Sequence, residues 1–381
     1  MLDFTRVLAG PYATRILGDF GAEVIKVQPR SAAPGDRFER GYYSTWNRNK
    51  RGITLDLSKA PGVDLVKKLV RRCDILIENF SPRVMANFGL DYESLRAVNP
   101  LLIMVSLSAM GQTGPRRDYT GFSPTVEAFS GLSYLTSFPG RPPTGPGFAY
   151  ADHVSGLVAV LALLGALEHR RRTGEGQYID ISETEALVSL LGGAVMEYAM
   201  TGSEPRPGGN RSPRAAPHDA YPCRGEDDWC AIAVCDEAQW TAFKRVLDSP
   251  AWAETEKFAS LAARLRNNDE LDALVSDWTR RHSAREVMTR LQAAGVPAGV
   301  VQKADDLVND PQLRERGFLI PAADPQTGAA IADGSPIRLA ESPARYSRPA
   351  PGPGQDNEYV YGELLGISPA EMTALRERGV I

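Results

Sequence analysis

The sequence has few of the residues that build metal centres and disulfide frameworks. Four cysteines (Cys73, Cys223, Cys230 and Cys235) and four histidines occur among 381 residues. Neither set has metal-site spacing, and the cysteines form no disulfide pattern, which is typical of a reducing compartment. We therefore expect a cytoplasmic protein with no bound metal ion.

Long hydrophobic runs and an excess of basic residues are also lacking. The most apolar run, Val154–Leu167, is shorter than a bilayer span requires. The first residues, MLDFTRVLAG, lack the basic-then-apolar pattern of a signal peptide. A net charge of −4 argues against nucleic-acid binding. We expect neither a membrane nor a nucleic acid as a partner.

Familiar catalytic motifs are absent as well. The chain has no P-loop and no Gly-x-Ser-x-Gly nucleophile elbow. Gly174-Glu175-Gly176 resembles part of a dinucleotide fingerprint, but it precedes a strand-like segment instead of joining a strand to a helix. It therefore fails the structural context of that motif, and a dehydrogenase is not favoured.

What the sequence does contain is an alternation of apolar strands and amphipathic helices. The length favours two domains. Strand-like segments in the first half are Met1–Phe4, Glu23–Val27, Gly52–Leu57, Ile75–Glu78, Leu102–Leu107 and Gln177–Ser182. Helix-like segments lie between them, as in parallel sheets. The pattern predicts an α/β fold with a doubly wound, Rossmann-like large domain.

Two Pro-rich segments indicate the domain organisation. Residues 203–217 and 326–354 are predicted as outgoing and return linkers. They separate a large domain that begins with residues 1–202 from a small α+β domain at residues 218–325. The C-terminal residues 355–381 are predicted as helices that join the large domain.

Two polar loops each allow two interpretations. Asn47–Arg51 is either a solvated surface loop or a contact to an anionic ligand, for which Arg and Lys are suited. Gly111–Pro115 is either a simple turn or a flexible loop at the ligand-facing edge of the sheet.

Asp152 is the candidate catalytic residue. It lies directly before a long apolar, helix-patterned segment. An Asp in that position is most often a helix N-cap. The alternative is a carboxylate nucleophile in covalent acyl transfer. Local pattern alone leaves both possibilities open.

Several blocks together resemble the class III (CaiB/BaiF-type) coenzyme A transferases, the family that includes formyl-CoA and carnitine CoA-transferases and the related α-methylacyl-CoA racemases. The matching blocks are residues 2–27, 47–57, 74–93, GQTGP at 111–115, 150–182 and GVPAGVV at 295–301. They occur in family order over most of the chain, which is more specific than any single motif.

The resemblance implies a role for Asp152. It matches the family's nucleophile, which precedes a helix leading to R-x-x-T-G-x-G-Q, here Arg170 to Gln177. The family mechanism implies a mixed anhydride and then an aspartyl-CoA thioester, from which an acceptor carboxylate leaves as the new acyl-CoA. The expected partners are an acyl-CoA donor and a carboxylate acceptor, with CoA as part of the substrate and no permanently bound cofactor.

The resemblance also assigns CoA contacts and a quaternary structure. The loop Val7-Leu8-Ala9 is expected to approach the substrate, and Asn79 and Phe80 to flank CoA. Arg30 is assigned to a CoA phosphate, although Pro29 stands where the family often has Arg. The family forms interlocked dimers, so we expect a homodimer.

Two alternatives follow from the same resemblance. A racemase-type isomerase needs a base where this chain has Phe122, so this reading is disfavoured. His153 is expected to pack or cap instead of acting as that base, and Glu237 matches an acid that many transferases also carry. A non-catalytic CoA-binding subunit is the other alternative. A CoA-transferase is the favoured function.

Overall fold

The computed structural model describes residues 1–30, 37–322 and 330–381. The chain divides into two compact units. The first contains residues 1–134, 145–205 and 315–381, and the second contains residues 135–144 and 206–314. Compared with the predicted domains, the second unit also takes residues 135–144, and the first unit resumes at residue 315. Residues 326–329 of the predicted return linker lie outside the described part.

A six-stranded parallel sheet forms the centre of the first unit. Its strands are β1 (Leu2–Asp3), β2 (Val24–Gln28), β3 (Lys50–Thr54), β4 (Ile75–Glu78), β5 (Ile103–Ser108) and β6 (Tyr178–Ser182). Their order is β3-β2-β1-β4-β5-β6, and all five pairs are parallel. This is the strand order of a Rossmann fold. The predicted α/β class is confirmed.

Within the described residues, ten α-helices accompany this sheet. They are α1 (Ala9–Asp19), α2 (Arg37–Asn47), α3 (Ala60–Val70), α4 (Val84–Asn87), α5 (Tyr92–Arg96), α6 (Ser123–Ser130), α7 (Leu132–Leu135), α8 (Tyr150–Thr173), α9 (Glu183–Val188) and α10 (Gly192–Thr201). Helices α1 and α8 pack on one face of β4 and β5, and α3 packs on the other. Coverage of both faces explains why every residue of β5 is buried.

The second unit is a small α+β domain. It contains the antiparallel strands β7 (His218–Pro222), β8 (Trp229–Ala233) and β9 (Ala298–Val300) in the order β7-β8-β9. Its helices are α11 (Glu237–Val246), α12 (Leu261–Arg266), α13 (Asn268–Thr279), α14 (Ala284–Ala293) and α15 (Ala304–Asn309). One apolar cluster around Trp240, Phe243 and Val287 forms its core.

The C-terminal part of the chain returns to the first unit. After α16 (Pro311–Glu315), the strands β10 (Leu319–Ala322) and β11 (Ala330–Asp333) pair antiparallel, and α17 (Pro369–Glu377) follows a π-helical turn at Glu358–Leu364. Val360, Met372 and Ile381 pack in the same cluster as β1, β2 and α3. The last residues thus complete the core on that face of the sheet.

Helix α8 is longer than the sequence suggested. It has 24 residues, and its most apolar stretch has a mean hydropathy of 1.6, so by length and composition it could cross a membrane. The expectation that its apolar run is too short is therefore wrong. In the fold, however, Ala159, Leu163 and Ala166 on α8 pack in the cluster that covers β4 and β5. This packing is that of a core helix.

Asn47–Arg51 is not a solvated loop, so that interpretation is wrong. Arg48 and Lys50 are 7% and 0% exposed. The Arg48 guanidinium donates to both carboxylate oxygens of Asp19, and the Lys50 Nζ lies 3.0 Å from Asp3 Oδ2. The segment leads into the edge strand β3. Its basic side chains therefore pair with buried acids of the fold instead of facing solvent.

Candidate active site

The sheet changes direction between β1 and β4, and ligands of open parallel sheets bind beyond the strand ends at such a switch point. The loops that follow β1 and β4 are joined there by two hydrogen bonds. The Arg6 N–H donates to Asn79 Oδ1 at 2.7 Å, and Asn79 Nδ2 donates to the Arg6 carbonyl at 2.9 Å. Asn79 therefore fixes the backbone of the first loop.

That first loop has an unusual backbone. Val7 adopts a φ of 63°, which is costly for a β-branched residue, and its side chain is 54% exposed. Leu8 is buried, and Ala9 begins α1. A Cβ at Gly10 would lie 2.3 Å from Thr5 Cγ2, so only glycine fits this turn. The loop presents Val7 to solvent and the Ala9 N–H at the start of a helix.

Two clefts open at this edge of the sheet. One, of about 590 Å³, is lined by Arg6, Arg30, Lys59 and Phe80 among others. The second, of about 480 Å³, is lined by Val7 and Tyr42 among others. Gln28 lines both, and its buried Oε1 has no hydrogen-bond partner within the described residues. A buried acceptor without a partner is costly, so a ligand N–H or O–H would stabilise it.

Helix α8 is capped by α6. The Ala151 N–H donates to Ser123 Oγ at 3.0 Å, and the Tyr150 N–H donates to Glu127 Oε1 at 3.1 Å. Ser123 Oγ in turn donates to Glu127 Oε1. Asp152 is the third residue of the helix and not its N-cap. The capping interpretation of Asp152 is therefore wrong.

The Asp152 carboxylate faces the start of α1 instead. Its Oδ1 accepts a hydrogen bond of 3.1 Å from the Ala9 N–H. The two helices are in close contact, because a Cβ at Gly156 would lie 2.8 Å from the Ala9 carbonyl oxygen. Burial raises the pKa of Asp152, although the Ala9 N–H, Ser123 and His153 oppose the rise. The carboxylate is thus poorly solvated, as a nucleophile should be.

The residues next to Asp152 have different roles. His153 packs among the rings of Tyr12, Trp46 and Phe148, and its Nδ1 lies 2.7 Å from the Ala149 carbonyl oxygen, as predicted for a packing residue. Tyr42 on α2 lines the smaller cleft. Burial and the charge of Asp152 raise the pKa of Tyr42 to about 12. Tyr42 therefore lines the smaller cleft and interacts electrostatically with Asp152.

The carboxylate of Asp3, which lies below the same loop, is fully buried. Asp3 accepts hydrogen bonds from the hydroxyls of Thr5 and Thr14, and Lys26 and Lys50 lie 3.1 and 3.0 Å from its oxygens. Burial acts to raise the pKa of Asp3, but the lysine charges and the hydroxyl groups outweigh it and hold the pKa well below its usual range. Asp3 is fully saturated with partners.

Phe122 and Glu237 stand at the positions where a racemase would carry its base and its acid, and neither is a free acid or base. Phe122 is 71% exposed and precedes α6. In the second unit, the carboxylate of Glu237 is held by Arg264, whose guanidinium is fully buried and also lies over the Trp240 ring. Glu237 is thereby engaged in an ion pair within its own unit.

The remaining sequence-selected residues have structural partners. The Gln112 N–H of the Gly111–Pro115 loop donates to Asp180 on β6. Gly174 ends α8 with a φ of 77°, and a Cβ at Gly176 would lie 2.2 Å from the Leu102 carbonyl oxygen. These glycines are required by a helix end and a close backbone contact.

Comparison with known proteins identifies the family. Residues 1–357 match the family described as CoA-transferase family III. The chain belongs to this family. It is 35% identical over 389 residues to succinyl-CoA–D-citramalate CoA-transferase of Chloroflexus aurantiacus, with 100% of this chain and 96% of that protein covered. It is also 35% identical to succinate–glutarate CoA-transferase of Agrobacterium fabrum, with 96% and 95% covered.

The fold of this family III member is also found in solved structures. A CAIB/BAIF family protein from Brucella suis superimposes with a TM-score of 0.86 at 33% identity, covering 95% of this chain and 97% of that one. Rv3272 from Mycobacterium tuberculosis gives a TM-score of 0.82 at 28% identity, covering 94% and 96%. The resemblance noted from the sequence is confirmed.

Sequence reasoning missed two residues of this site. Tyr42 lies on α2, a helix that the sequence pattern did not reveal. Glu183 begins α9 and is only 7% exposed. The signal that could have indicated Glu183 is its position directly after the strand β6, at the strand end where a parallel sheet presents side chains to its ligand.

Proposed function

We propose that this protein transfers CoA from an acyl-CoA to a free carboxylic acid through an aspartyl-CoA thioester on Asp152. The observation that carries the proposal is the environment of the carboxylate. Asp152 is half-buried. Ser123 and Glu127 cap α8 in its place, and its carboxylate accepts one backbone hydrogen bond from Ala9. A carboxylate with few partners is a better nucleophile than a saturated one.

The first step is attack of an Asp152 oxygen on the thioester carbonyl carbon of the donor. The C–S bond breaks, CoA leaves as a thiolate, and a mixed anhydride remains. The thiolate then attacks the Asp152 carbonyl carbon, and the donor acid leaves as a carboxylate. The Ala9 N–H, 3.1 Å from Asp152 Oδ1, supports the oxyanion that forms on this carboxyl group.

The two clefts suit the two ends of CoA. The larger cleft has the cations Arg6, Arg30 and Lys59 for the phosphates and the ring of Phe80 for the adenine. The smaller cleft is lined by Val7 and Tyr42. The charge of Asp152 contributes to the raised pKa of Tyr42. Leu8 holds the loop in the core, and Asn79 fixes its backbone.

The acceptor in this proposal is a short dicarboxylic acid. Relatives along the whole chain are named for succinyl-CoA, citramalate and glutarate, including the human succinyl-CoA:glutarate CoA-transferase at 29% identity, with 100% of this chain and 88% of that protein covered. Assay of succinyl-CoA against a panel of mono- and dicarboxylic acids tests this part. Exclusive use of monocarboxylic acids would contradict it.

A homodimer is part of the same proposal. The outer face of α8 and α10 exposes Leu157, Leu161, Leu164, Val195, Met196 and Met200, from 50% to 79% of each residue. Exposed apolar side chains of this size and number are typical of an interface, and we assign them to contact with a second copy of this chain. A Leu161→Glu variant should shift the molar mass in light scattering from dimer to monomer, whereas a monomeric wild type would refute the assignment.

The direct test of the chemistry is capture of the intermediate. After mixing with succinyl-CoA and hydroxylamine, mass spectrometry should find a hydroxamate on the peptide with Asp152. Asp152→Asn should lower transfer activity by about 10⁴-fold or more, as nucleophile removal does elsewhere. Asp64→Asn changes an exposed Asp on α3 and serves as the control. Full activity of the Asp152→Asn protein would end the proposal.

A further inference from the structure

Glu183 is a buried acid without a hydrogen-bond partner. It occupies the first position of α9 and is 7% exposed. Within the described residues its carboxyl group forms neither a hydrogen bond nor an ion pair. An ionised carboxylate in this position would lose part of its hydration without gaining a side-chain partner. The group therefore has a physical reason to retain its proton.

The fold places this acid beside the nucleophile. Helix α9 packs against both α6 and α8. Ala151, which precedes Asp152, shares one apolar cluster with Leu187, which lies one turn beyond Glu183. Val126 of α6 completes that cluster. The first turns of α8 and α9 are thus held together in one low-dielectric region.

The charge on Asp152 acts on Glu183 across this region. Burial first, and the charge of Asp152 second, raise the pKa of Glu183 to about 8. Titratable side chains on the elements that pack against α9 include Asp152, His153 and Tyr150 in the first turn of α8, Glu127 on α6, Tyr178 and Asp180 on β6, and Glu185 on α9 itself. Of these, Asp152 is the one whose charge raises the pKa of Glu183.

We propose that Glu183 holds a proton while Asp152 is ionised and releases it when Asp152 becomes a neutral CoA thioester. The inference rests on the proposed function, because it needs the aspartyl-CoA intermediate. Glu183 acts through Asp152 and is a positioning residue. It leaves Asp152 as the anion of the pair in the free enzyme, which keeps the nucleophile available.

The proton balance of the step is simple. Asp152 enters as a carboxylate, and the donor acid leaves as a carboxylate, so acylation itself consumes and releases no proton. Glu183 then dissociates into a carboxylate and a proton that passes to solvent. When the acceptor removes CoA, Asp152 is ionised again and Glu183 takes a proton back. When release is complete, the pair carries one negative charge in each state and never two adjacent charges at low dielectric.

A proton-release measurement tests the inference. Enzyme and succinyl-CoA are mixed without acceptor in weak buffer at pH 7 with an indicator dye, and adduct formation on Asp152 is followed in parallel by mass spectrometry. Loss of one neighbouring charge lowers an acid's pKa by about one to two units, so we expect about half a proton per adduct. Glu183→Gln should form the adduct without the proton, and the exposed Glu185→Gln should keep both.

The outcomes separate the inference from the proposed function. An adduct without proton release in the wild type, or release retained in Glu183→Gln, overturns the role of Glu183 alone. Absence of any adduct in the wild type ends the proposed function and this inference with it. If Glu183→Gln does not fold, infrared difference spectra of the wild type decide, because the carbonyl band of a protonated carboxylic acid must weaken by about half as the thioester forms.

The pH profile is a second readout that a purely structural role would not change. Above a pH of about 8, Glu183 ionises in the free enzyme and its charge opposes the oxyanion that forms during attack. The kcat/KM of the wild type should therefore fall above that pH. Glu183→Gln should lack this fall and Glu185→Gln should retain it; an unchanged profile in Glu183→Gln would contradict the proposal.

Discussion

Asp3 is fully buried and Asp152 is half-buried, and both lie near the loop after β1, yet they are suited to opposite tasks. Asp3 is surrounded by two lysines and two threonine hydroxyls, and its pKa is well below its usual range. Asp152 has one backbone N–H and a nearby serine, and its pKa is raised. Burial acts to raise the pKa of both acids. The number of compensating partners distinguishes the structural acid from the proposed nucleophile.

The difference also shows how the site is built. Asp3 with Lys26 and Lys50 forms the floor below the loop, and the Lys26 ammonium group donates to the Thr5 carbonyl oxygen. The loop above carries the Ala9 N–H to Asp152. The ion cluster of Asp3, Lys26 and Lys50 thus holds the loop whose Ala9 N–H donates to Asp152.

The largest expected effect is on stability at Asp3. Asp3→Asn leaves Lys26 and Lys50 without their buried counter-charge and should lower the free energy of unfolding by about 3–5 kcal/mol. Asp152→Asn should change it by less than about 1 kcal/mol, because none of the described residues forms an ion pair with Asp152, whose Oδ1 accepts from the Ala9 N–H. Urea denaturation at pH 7 measures both. Equal losses in the two variants would remove the distinction between the two acids.

The next effect concerns the distance between α1 and α8. Gly156→Ala places a methyl group against the Ala9 carbonyl and should displace the Ala9 N–H from Asp152. A displacement of about 1 Å should lower kcat by about 10²-fold. Gly165→Ala is the control, since it lies on α8 with open space around its Cβ position. Equal kcat values for the two variants would show that this contact has no catalytic role.

A smaller effect is expected at the loop clamp. Asn79→Ala removes both hydrogen bonds to Arg6, so the loop that lines the two clefts loses its fixed backbone. The KM for acyl-CoA should rise about tenfold, since two such bonds contribute about 1–2 kcal/mol. Steady-state kinetics of Asn79→Ala and of the exposed control Asn87→Ala provide the test. A wild-type KM in Asn79→Ala would exclude the clamp from CoA binding.

The smallest effect is on the acid side of the pH profile. Protonated Asp152 is no nucleophile, so kcat/KM should fall at low pH, and at a higher pH than for an exposed Asp. Ser123 lowers the pKa of Asp152. Its removal in Ser123→Ala should move the acidic fall upward by about half a pH unit. Ser130→Ala, on the same helix, should leave the profile in place, and a downward shift in Ser123→Ala would contradict the assignment.

Local patterns were sufficient for the architecture but not for the environment of Asp152. The apolar runs of β4 and β5 and the amphipathic α3 predict a parallel sheet, because burial on both faces demands such runs. The helix α2 escaped this reasoning, and so did the burial of Arg48 and Lys50. Their charges are compensated by Asp19 and Asp3, which a local pattern does not relate to them.

The sequence by itself determined the fold class, the family and the position of Asp152 within the family's motif. Only the tertiary structure decided what Asp152 is bonded to, because the Ala9 N–H is 143 residues away along the chain. The same holds for Ser123 and Glu127, which cap α8 from another helix. It holds also for Glu183, whose proton depends on burial and on the charge of Asp152. Burial and partner number arise only when distant segments pack together, and they decide the chemistry of a carboxylate.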